Sequence, residues 1–243
     1  MRVNTTTFQN AFGKYLKQVM NGEEIIITKN ERGVAKLMAY HDPVTYVLKE
    51  GNADYYVQKR VTYQEFLEIT KNSDARYELI DGEIYLMASP THLHQIAIRE
   101  IIGQFYIYFA DKSCSPFTAP FDVRLKNDSP TFEDDPNVVQ PDILVLCDKE
   151  TIDENGRYHG VPSLVVEVLS SSTRSKDMVK KLSLYMLSGV SEYWIVDLEN
   201  QSILLYEFVE QNIKGLNLVK IGDPIQSLLY KDLIVQTDKM NTV

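Results

Sequence analysis

The chain has 243 residues, of which 44% are hydrophobic and 24% charged, the composition of an ordinary folded, water-soluble protein. No apolar run approaches the roughly 18 residues that a membrane span requires, and the N-terminus has no hydrophobic signal segment, so we expect a cytoplasmic protein without membrane contact. The two cysteines, Cys114 and Cys147, have no metal-ligand spacing and are expected to be reduced in the interior.

The net charge of −9 is unevenly distributed along the chain. Residues 1–40 contain six lysines and arginines against three glutamates and carry +3, so the remainder carries −12. This acidic balance argues against tight nonspecific DNA binding by the larger part of the chain alone. It does not exclude a nuclease, because metal ligands are acidic and a bound cation offsets their charge.

The N-terminal forty residues have the pattern of a small α/β unit. An i, i+3/i+4, i+7 repeat of apolar residues predicts an amphipathic helix, capped by Thr5 or Thr6 and ended by Gly22. Two apolar segments, 24–28 and 34–39, flank a turn and predict a β-hairpin. So short a segment cannot bury a self-sufficient core, and we expect it to dimerise or to pack on another surface.

This segment resembles the N-terminal half of the Phd-type antitoxins. The resemblance rests on the order of an opening strand at 3–5, the Phe12/Leu16 helix, Gly22-Glu23, and strands at 25–29 and 34–37. It implies a dimer that binds operator DNA, and a partner of the toxin–antitoxin type. The alternative is an α/β subdomain without DNA affinity.

Residues 41–58 are expected to form a linker, and residues 59–243 a second domain with mixed strands and flanking helices, of the α/β or α+β class. The capping box Thr62–Glu65 predicts a helix start, and Asp81-Gly82 predicts a hairpin turn. The other predicted elements are a long helix after Pro90 and Thr91, a strand at 121–125, an exposed loop at 126–137, strands around Asp142 and Glu167, a helix at 174–187 closed by Gly189, and a hairpin around 199–201.

Two apolar strands of this second domain each carry one acidic residue. Asp142 precedes an apolar run, and Glu167 lies between Val166 and Val168. A carboxylate inside such a run is costly to desolvate unless a positive group compensates it. Carboxylates are the ligands that Mg²⁺ prefers, and Glu78 is a third candidate. The sequence therefore predicts a Mg²⁺ site, with Mn²⁺ as a substitute ion.

The second domain resembles the Uma-type family of restriction endonucleases, a group within the PD-(D/E)xK nuclease fold. The resemblance covers about residues 60–240 and rests on the segments 77–83, His94, 140–142, 165–170, 172–173, Asp177, 181–182, Tyr185 and 189–197. It implies a restriction-endonuclease-like core and a metal-dependent endonuclease that hydrolyses phosphodiester bonds in DNA. Because duplex cutters commonly act in pairs, we expect a homodimer.

The position of the lysine departs from the superfamily pattern. A lysine is expected two residues after Glu167, where this chain has Leu169. In the resembling family the lysine lies on the next helix, and Lys181 occupies that position. Asp177 precedes Lys181 by four residues and shares its helix face, whereas Lys180 points about 100° away, toward solvent.

The resemblance and the residue pattern together assign roles to a set of side chains. The predicted catalytic residues are Asp142, Glu167, Lys181 and Glu78. The first two and Glu78 would hold the metal, while Lys181 would orient the attacking water or stabilise charge developing on the phosphate. His94 and Asp177 are secondary candidates, although a lone helical histidine more often packs or forms hydrogen bonds.

The residue pattern is compatible with several alternatives. Glu78 could be a solvent-facing strand carboxylate, and Lys181 a surface lysine. The nuclease fold could be catalytically idle, in a DNA-binding regulator or a toxin–antitoxin-like module. A third hypothesis combines the two functions: an N-terminal dimer places two nuclease domains on one duplex.

Overall fold

The computed structural model of the chain describes residues 1–20, 25–29, 32–37, 60–127, 129–170 and 174–240. The chain divides into two compact units, residues 1–45 and residues 46–243. The predicted linker at 41–58 lies outside the described residues. Among the helices of the described ranges, none is both long and apolar enough to cross a membrane.

The N-terminal unit is a three-stranded sheet with two short helices. Its elements are β1 (Arg2–Asn4), α1 (Thr5–Asn10), α2 (Phe12–Met20), β2 (Ile25–Lys29) and β3 (Arg32–Leu37). β1 pairs parallel with β2, and β2 pairs antiparallel with β3, which confirms the predicted hairpin. The predicted helix is instead broken at Ala11, and its cap is Asn4, whose side chain accepts a hydrogen bond from the Thr7 backbone N–H. The predicted end at Gly22 lies outside the described residues.

The second unit contains a six-stranded sheet, a four-stranded sheet and a short strand pair. Its helices are α3 (Tyr63–Thr70), α4 (His92–Phe109) and α5 (Leu182–Ser188), with a 3₁₀ turn at Lys149–Thr151 and a π-helical segment at Lys176–Lys181. Its strands are β4 (Tyr77–Ile80), β5 (Glu83–Leu86), β6 (Ser115–Thr118), β7 (Val123–Leu125), β8 (Asn137–Val139), β9 (Ile143–Leu146), β10 (Leu164–Val168), β11 (Glu192–Asp197), β12 (Ser202–Val209), β13 (Asn212–Lys220), β14 (Ile225–Gln226) and β15 (Ile234–Val235). This architecture confirms the predicted mixed α/β class.

The six-stranded sheet has the order β13-β12-β11-β10-β9-β6 and forms the centre of the unit. Only β10 and β11 pair in parallel within it, and the π-helical segment and α5 make the crossover that a parallel pair needs. Successive residues of a strand point to opposite faces. Val166 therefore packs with α4 on one face, whereas Val165 packs with α5 on the other. Glu167 shares the α5 face by the same alternation.

The four-stranded sheet, in the order β5-β4-β8-β7, contains the predicted hairpin turn. Asp81 and Gly82 both have positive φ, 52° and 75°, as a type I′ turn requires. A Cβ atom on Gly82 would lie 2.6 Å from the Cβ of Arg60, so the turn needs glycine for space as well as for backbone conformation.

Other predicted boundaries are confirmed at helix ends. Thr62 and Glu65 form the predicted capping box, Thr91 caps α4, and Gly189 follows α5 with φ 93°. The strand predicted at 121–125 is shorter, Val123–Leu125, and strands β6, β8, β13, β14 and β15 were not predicted.

The prediction of reduced, interior cysteines is wrong in this structure. Cys114 and Cys147 are joined by a disulfide, and Cys147 is exposed. They lie one position beyond the Ser115–Leu146 pair of β6 and β9, directly opposite each other. Because this proximity comes from the pairing of two strands distant in sequence, the spacing of the cysteines alone could not reveal it.

Candidate active site

A cleft of about 240 Å³ lies in the second unit, and most of the predicted site residues line it. They are His94, Asp142, Glu167, Asp177 and Lys181. Lys176, which was not among the predicted site residues, lines the same cleft. Glu78 is fully buried and contacts the lysines of the cleft.

The pairing of β9 with β10 brings Asp142 and Glu167 to the same part of the sheet. The antiparallel register of β9 and β10 pairs Ile143 with Val166, and Asp142 and Glu167 each lie one residue beyond that last pair. The Asp142 Oδ2 atom accepts a hydrogen bond from the Val168 backbone N–H at 2.8 Å and lies 3.1 Å from Nε2 of His94. Its Oδ1 atom has no hydrogen-bond partner among the described residues.

The Glu167 carboxylate is buried on the α5 side of the sheet. Its Oε1 atom accepts hydrogen bonds from Nζ of Lys181 and from the Tyr185 hydroxyl, both at 2.7 Å. No described residue donates to Oε2. Burial raises the pKa of Glu167 to about 8, since the attraction of Lys181 only partly offsets it and the nearby Asp142 and Asp177 raise it further.

Glu78 is a buried anion held between two lysines. Its Oε1 atom accepts a hydrogen bond from the Gln140 backbone N–H at 3.0 Å and lies 2.7 Å from Nζ of Lys181, and its Oε2 atom accepts one from Nζ of Lys176. Burial alone would raise the pKa of Glu78, but Lys181 and Lys176 lower it to about 2. The alternative of a solvent-facing carboxylate is therefore wrong, while its role as a metal ligand stays a prediction.

The π-helical segment explains how two lysines reach one glutamate. Lys176 and Lys181 are five residues apart, which would separate them by about 140° around an α-helix. The hydrogen bonds of a π-helix join residues i and i+5, so in this segment Lys176 and Lys181 lie close to the same side. Sequence reasoning missed Lys176 because it assumed α-helical spacing.

The other side chains of this segment agree with the expected faces. The Asp177 Oδ1 atom lies 3.7 Å from Nζ of Lys181, as the predicted i, i+4 pair, and Lys181 is only 2% exposed, so the surface-lysine alternative is wrong. Lys180 points away and donates hydrogen bonds to Glu83 and to the Tyr85 hydroxyl.

The donor chemistry of the cleft fits a small divalent cation. Within the described ranges, no three His, Cys, Asp or Glu side chains stand close enough to hold a metal ion. Asp142 and Glu167 nevertheless each retain a carboxylate oxygen without a partner in those ranges. Mg²⁺ accepts such a set, because it keeps several waters and needs only one or two protein carboxylates.

The raised pKa of Glu167 predicts a pH-dependent stability. Between its ordinary pKa of 4.5 and about 8, the folded protein holds a proton on Glu167 that the unfolded chain has lost. The free energy of unfolding therefore falls as the pH rises through this range, by at most about 1.4 kcal/mol per pH unit. Glu78 has the opposite dependence, but only below its ordinary pKa of 4.5.

Urea unfolding of the wild type and of Glu167→Gln, from about pH 5 to pH 8, measures this effect. Glutamine mimics the protonated acid, so the stability of the variant relative to the wild type should increase steadily with pH. A constant difference between the two proteins would contradict the pKa assignment.

Comparisons with known proteins agree with the two resemblances. Residues 63–232 match the model of the Uma2 family, described as "Putative restriction endonuclease". Residues 1–45 match the model of the Phd/YefM antitoxins of type II toxin–antitoxin systems. An uncharacterized protein of Synechocystis sp. is 25% identical to this chain over 148 residues, which are 60% of this chain and 74% of that protein.

A solved structure shares the fold. The crystal structure of "a putative nuclease belonging to DUF820" from Anabaena variabilis superposes with a TM-score of 0.59 at 16% identity, covering 74% of this chain and 96% of that one. The likeness shows that the two chains share a fold. Since the family model also matches well over half of the residues, the chain belongs to the Uma2 family, with a Phd/YefM antitoxin-like segment at its N-terminal end.

Proposed function

We propose that this protein is a Mg²⁺-dependent DNA endonuclease in which Asp142 and Glu167 hold the metal. The observation that carries the proposal is that these two carboxylates line one cleft, each with one oxygen lacking a described partner. A bound divalent cation there would polarise the phosphodiester and activate a water molecule. The nuclease descriptions of the family and of the solved structure support the reaction class.

The surrounding side chains orient the two proposed ligands. The Val168 N–H and His94 fix one oxygen of Asp142, and Lys181 and Tyr185 fix one oxygen of Glu167. Each carboxylate is thereby held with its other oxygen available, as a preorganised site requires. Lys181 also supplies positive charge beside Glu167, where negative charge develops on the phosphate during hydrolysis.

A second candidate function comes from the antitoxin-like segment at residues 1–45. In this candidate the chain is a DNA-binding regulator or a toxin–antitoxin-like module whose nuclease unit is idle. The basic charge of residues 1–40 supports DNA binding by this segment. In either candidate, the segment is proposed to form a homodimer, because its core is too small to be self-sufficient.

A plasmid-nicking assay on the full chain separates the two candidates. We expect supercoiled DNA to be nicked with Mg²⁺ or Mn²⁺, and not with EDTA, because the carboxylates need the cation to act on the phosphate. Glu167→Gln should lower the nicking rate, whereas Glu68→Gln, which makes the same charge change at an exposed side chain on α3, should not.

Two results would oppose the endonuclease proposal. Nicking that persists in EDTA would exclude the metal-dependent mechanism. Binding of duplex DNA with no nicking under either metal ion would favour the idle regulator.

A further inference from the structure

Lys176 is the lysine of the cleft that keeps unused hydrogen-bond donors. An ammonium group has three N–H donors. Those of Lys181 face three carboxylates, with Nζ 2.7 Å from Glu78, 2.7 Å from Glu167 and 3.7 Å from Asp177. Among the described residues, Lys176 donates only to Oε2 of Glu78, so two of its donors are available.

The position of this ammonium group is fixed by a buried anchor. Glu78 is fully buried and is itself held by the Gln140 backbone N–H. The Tyr85 ring lies on another side of Lys176, 5.3 Å from Nζ. The Lys176 side chain is 10% exposed and lines the same cleft as Asp142 and Glu167. A flexible side chain is thus held in one place at the cleft wall.

The acidic residues of the cleft indicate a role for Lys176. Four acids, Glu78, Asp142, Glu167 and Asp177, surround Lys176 and Lys181, and a phosphodiester is itself anionic. A substrate phosphate therefore needs a cation with free donors, and Lys181 is already shared among acids. We propose that Lys176 binds a backbone phosphate of the nucleic acid that enters the cleft. This inference rests on the proposed endonuclease function and names a substrate contact within it.

The salt dependence of DNA binding tests the contact without requiring cleavage. A labelled duplex of roughly 20 base pairs is titrated with full-length protein in EDTA, between about 50 and 200 mM salt. The slope of log affinity against log salt is negative, and Lys176→Gln should make it less negative by about 0.9, the value for one lost phosphate contact. The N-terminal unit is present in every protein compared, so its contribution to the slope cancels.

Two further variants control for charge and for structure. Lys180→Gln removes a lysine from the same segment that is bound to Glu83 and Tyr85 instead, and it should keep the wild-type slope. Lys176→Arg keeps a cation beside Glu78 and should restore most of the slope. A merely structural role for Lys176 would change thermal stability but would leave the slope unchanged.

The outcomes separate this inference from the function on which it rests. An unchanged slope in folded Lys176→Gln, with metal-dependent nicking by the wild type, overturns the Lys176 contact alone. A reduced slope in a protein that never nicks DNA supports the contact and opposes catalysis. If the wild type does not bind the duplex at any of these salt concentrations, the Lys176 contact is overturned, and the nicking assay alone decides the endonuclease proposal.

Discussion

Replacing Asp142 with asparagine is expected to lower metal-dependent nicking by about 10³-fold or more, equivalent to about 4 kcal/mol of transition-state stabilisation. The amide keeps the shape of the acid, and its oxygen can still accept the Val168 N–H, so the pairing of β9 with β10 is retained. What is lost is a negative ligand, and Mg²⁺ binds neutral amides more weakly than carboxylates. Initial nicking rates at saturating Mg²⁺ measure the effect.

A calorimetric titration with Mg²⁺ identifies the cause of this loss. Asp142→Asn should bind the ion more weakly in the absence of DNA, whereas the exposed-site control Glu68→Gln should titrate as the wild type does. Nicking within tenfold of the wild-type rate would show that Asp142 is not required. Normal Mg²⁺ binding with no nicking would assign Asp142 to the substrate rather than to the metal.

Asp142 and Glu167 were predictable from sequence because each stands in or beside an apolar strand, which is a local pattern. Asp142 adjoins an apolar strand and Glu167 lies inside one, and both strands belong to the centre of the sheet. An acid in such a strand must be compensated, whatever the exact topology. The hairpin at Asp81-Gly82 was predictable for a similar reason, since few residues adopt two consecutive positive φ angles.

The remaining parts of the site depend on tertiary contacts that no local pattern reports. Lys176 joins it only because the segment before α5 is π-helical, a distortion that hydrophobic periodicity does not show. Glu78 forms ion pairs with two lysines that come about a hundred residues later in the sequence. The Gln140 backbone N–H that holds Glu78 is likewise a donor that composition cannot reveal.

Replacing Lys181 with methionine is expected to lower the free energy of unfolding by about 3–5 kcal/mol at neutral pH. Methionine nearly fills the same volume, so the loss measures charge rather than a cavity. Glu78, Glu167 and Asp177 would remain buried without the cation that lies between them. Urea unfolding gives the change, and Lys180→Met serves as the control, because its ion pair with exposed Glu83 should contribute no more than about 1 kcal/mol.

A double-mutant cycle tests whether the loss comes from uncompensated acids. Glu78 is fully buried and, with a pKa of about 2, is ionised at neutral pH, whereas Glu167, with a pKa of about 8, is largely neutral there. Glu78→Gln should therefore restore part of the stability of Lys181→Met, so that the double variant is more stable than the sum of the single losses by about 1 kcal/mol or more. Additive losses would mean that Lys181 stabilises the unit through packing alone. A positive coupling would instead mean that a cation between the buried acids of this cleft is needed for their stability. A metal-binding nuclease site has to meet the same physical condition.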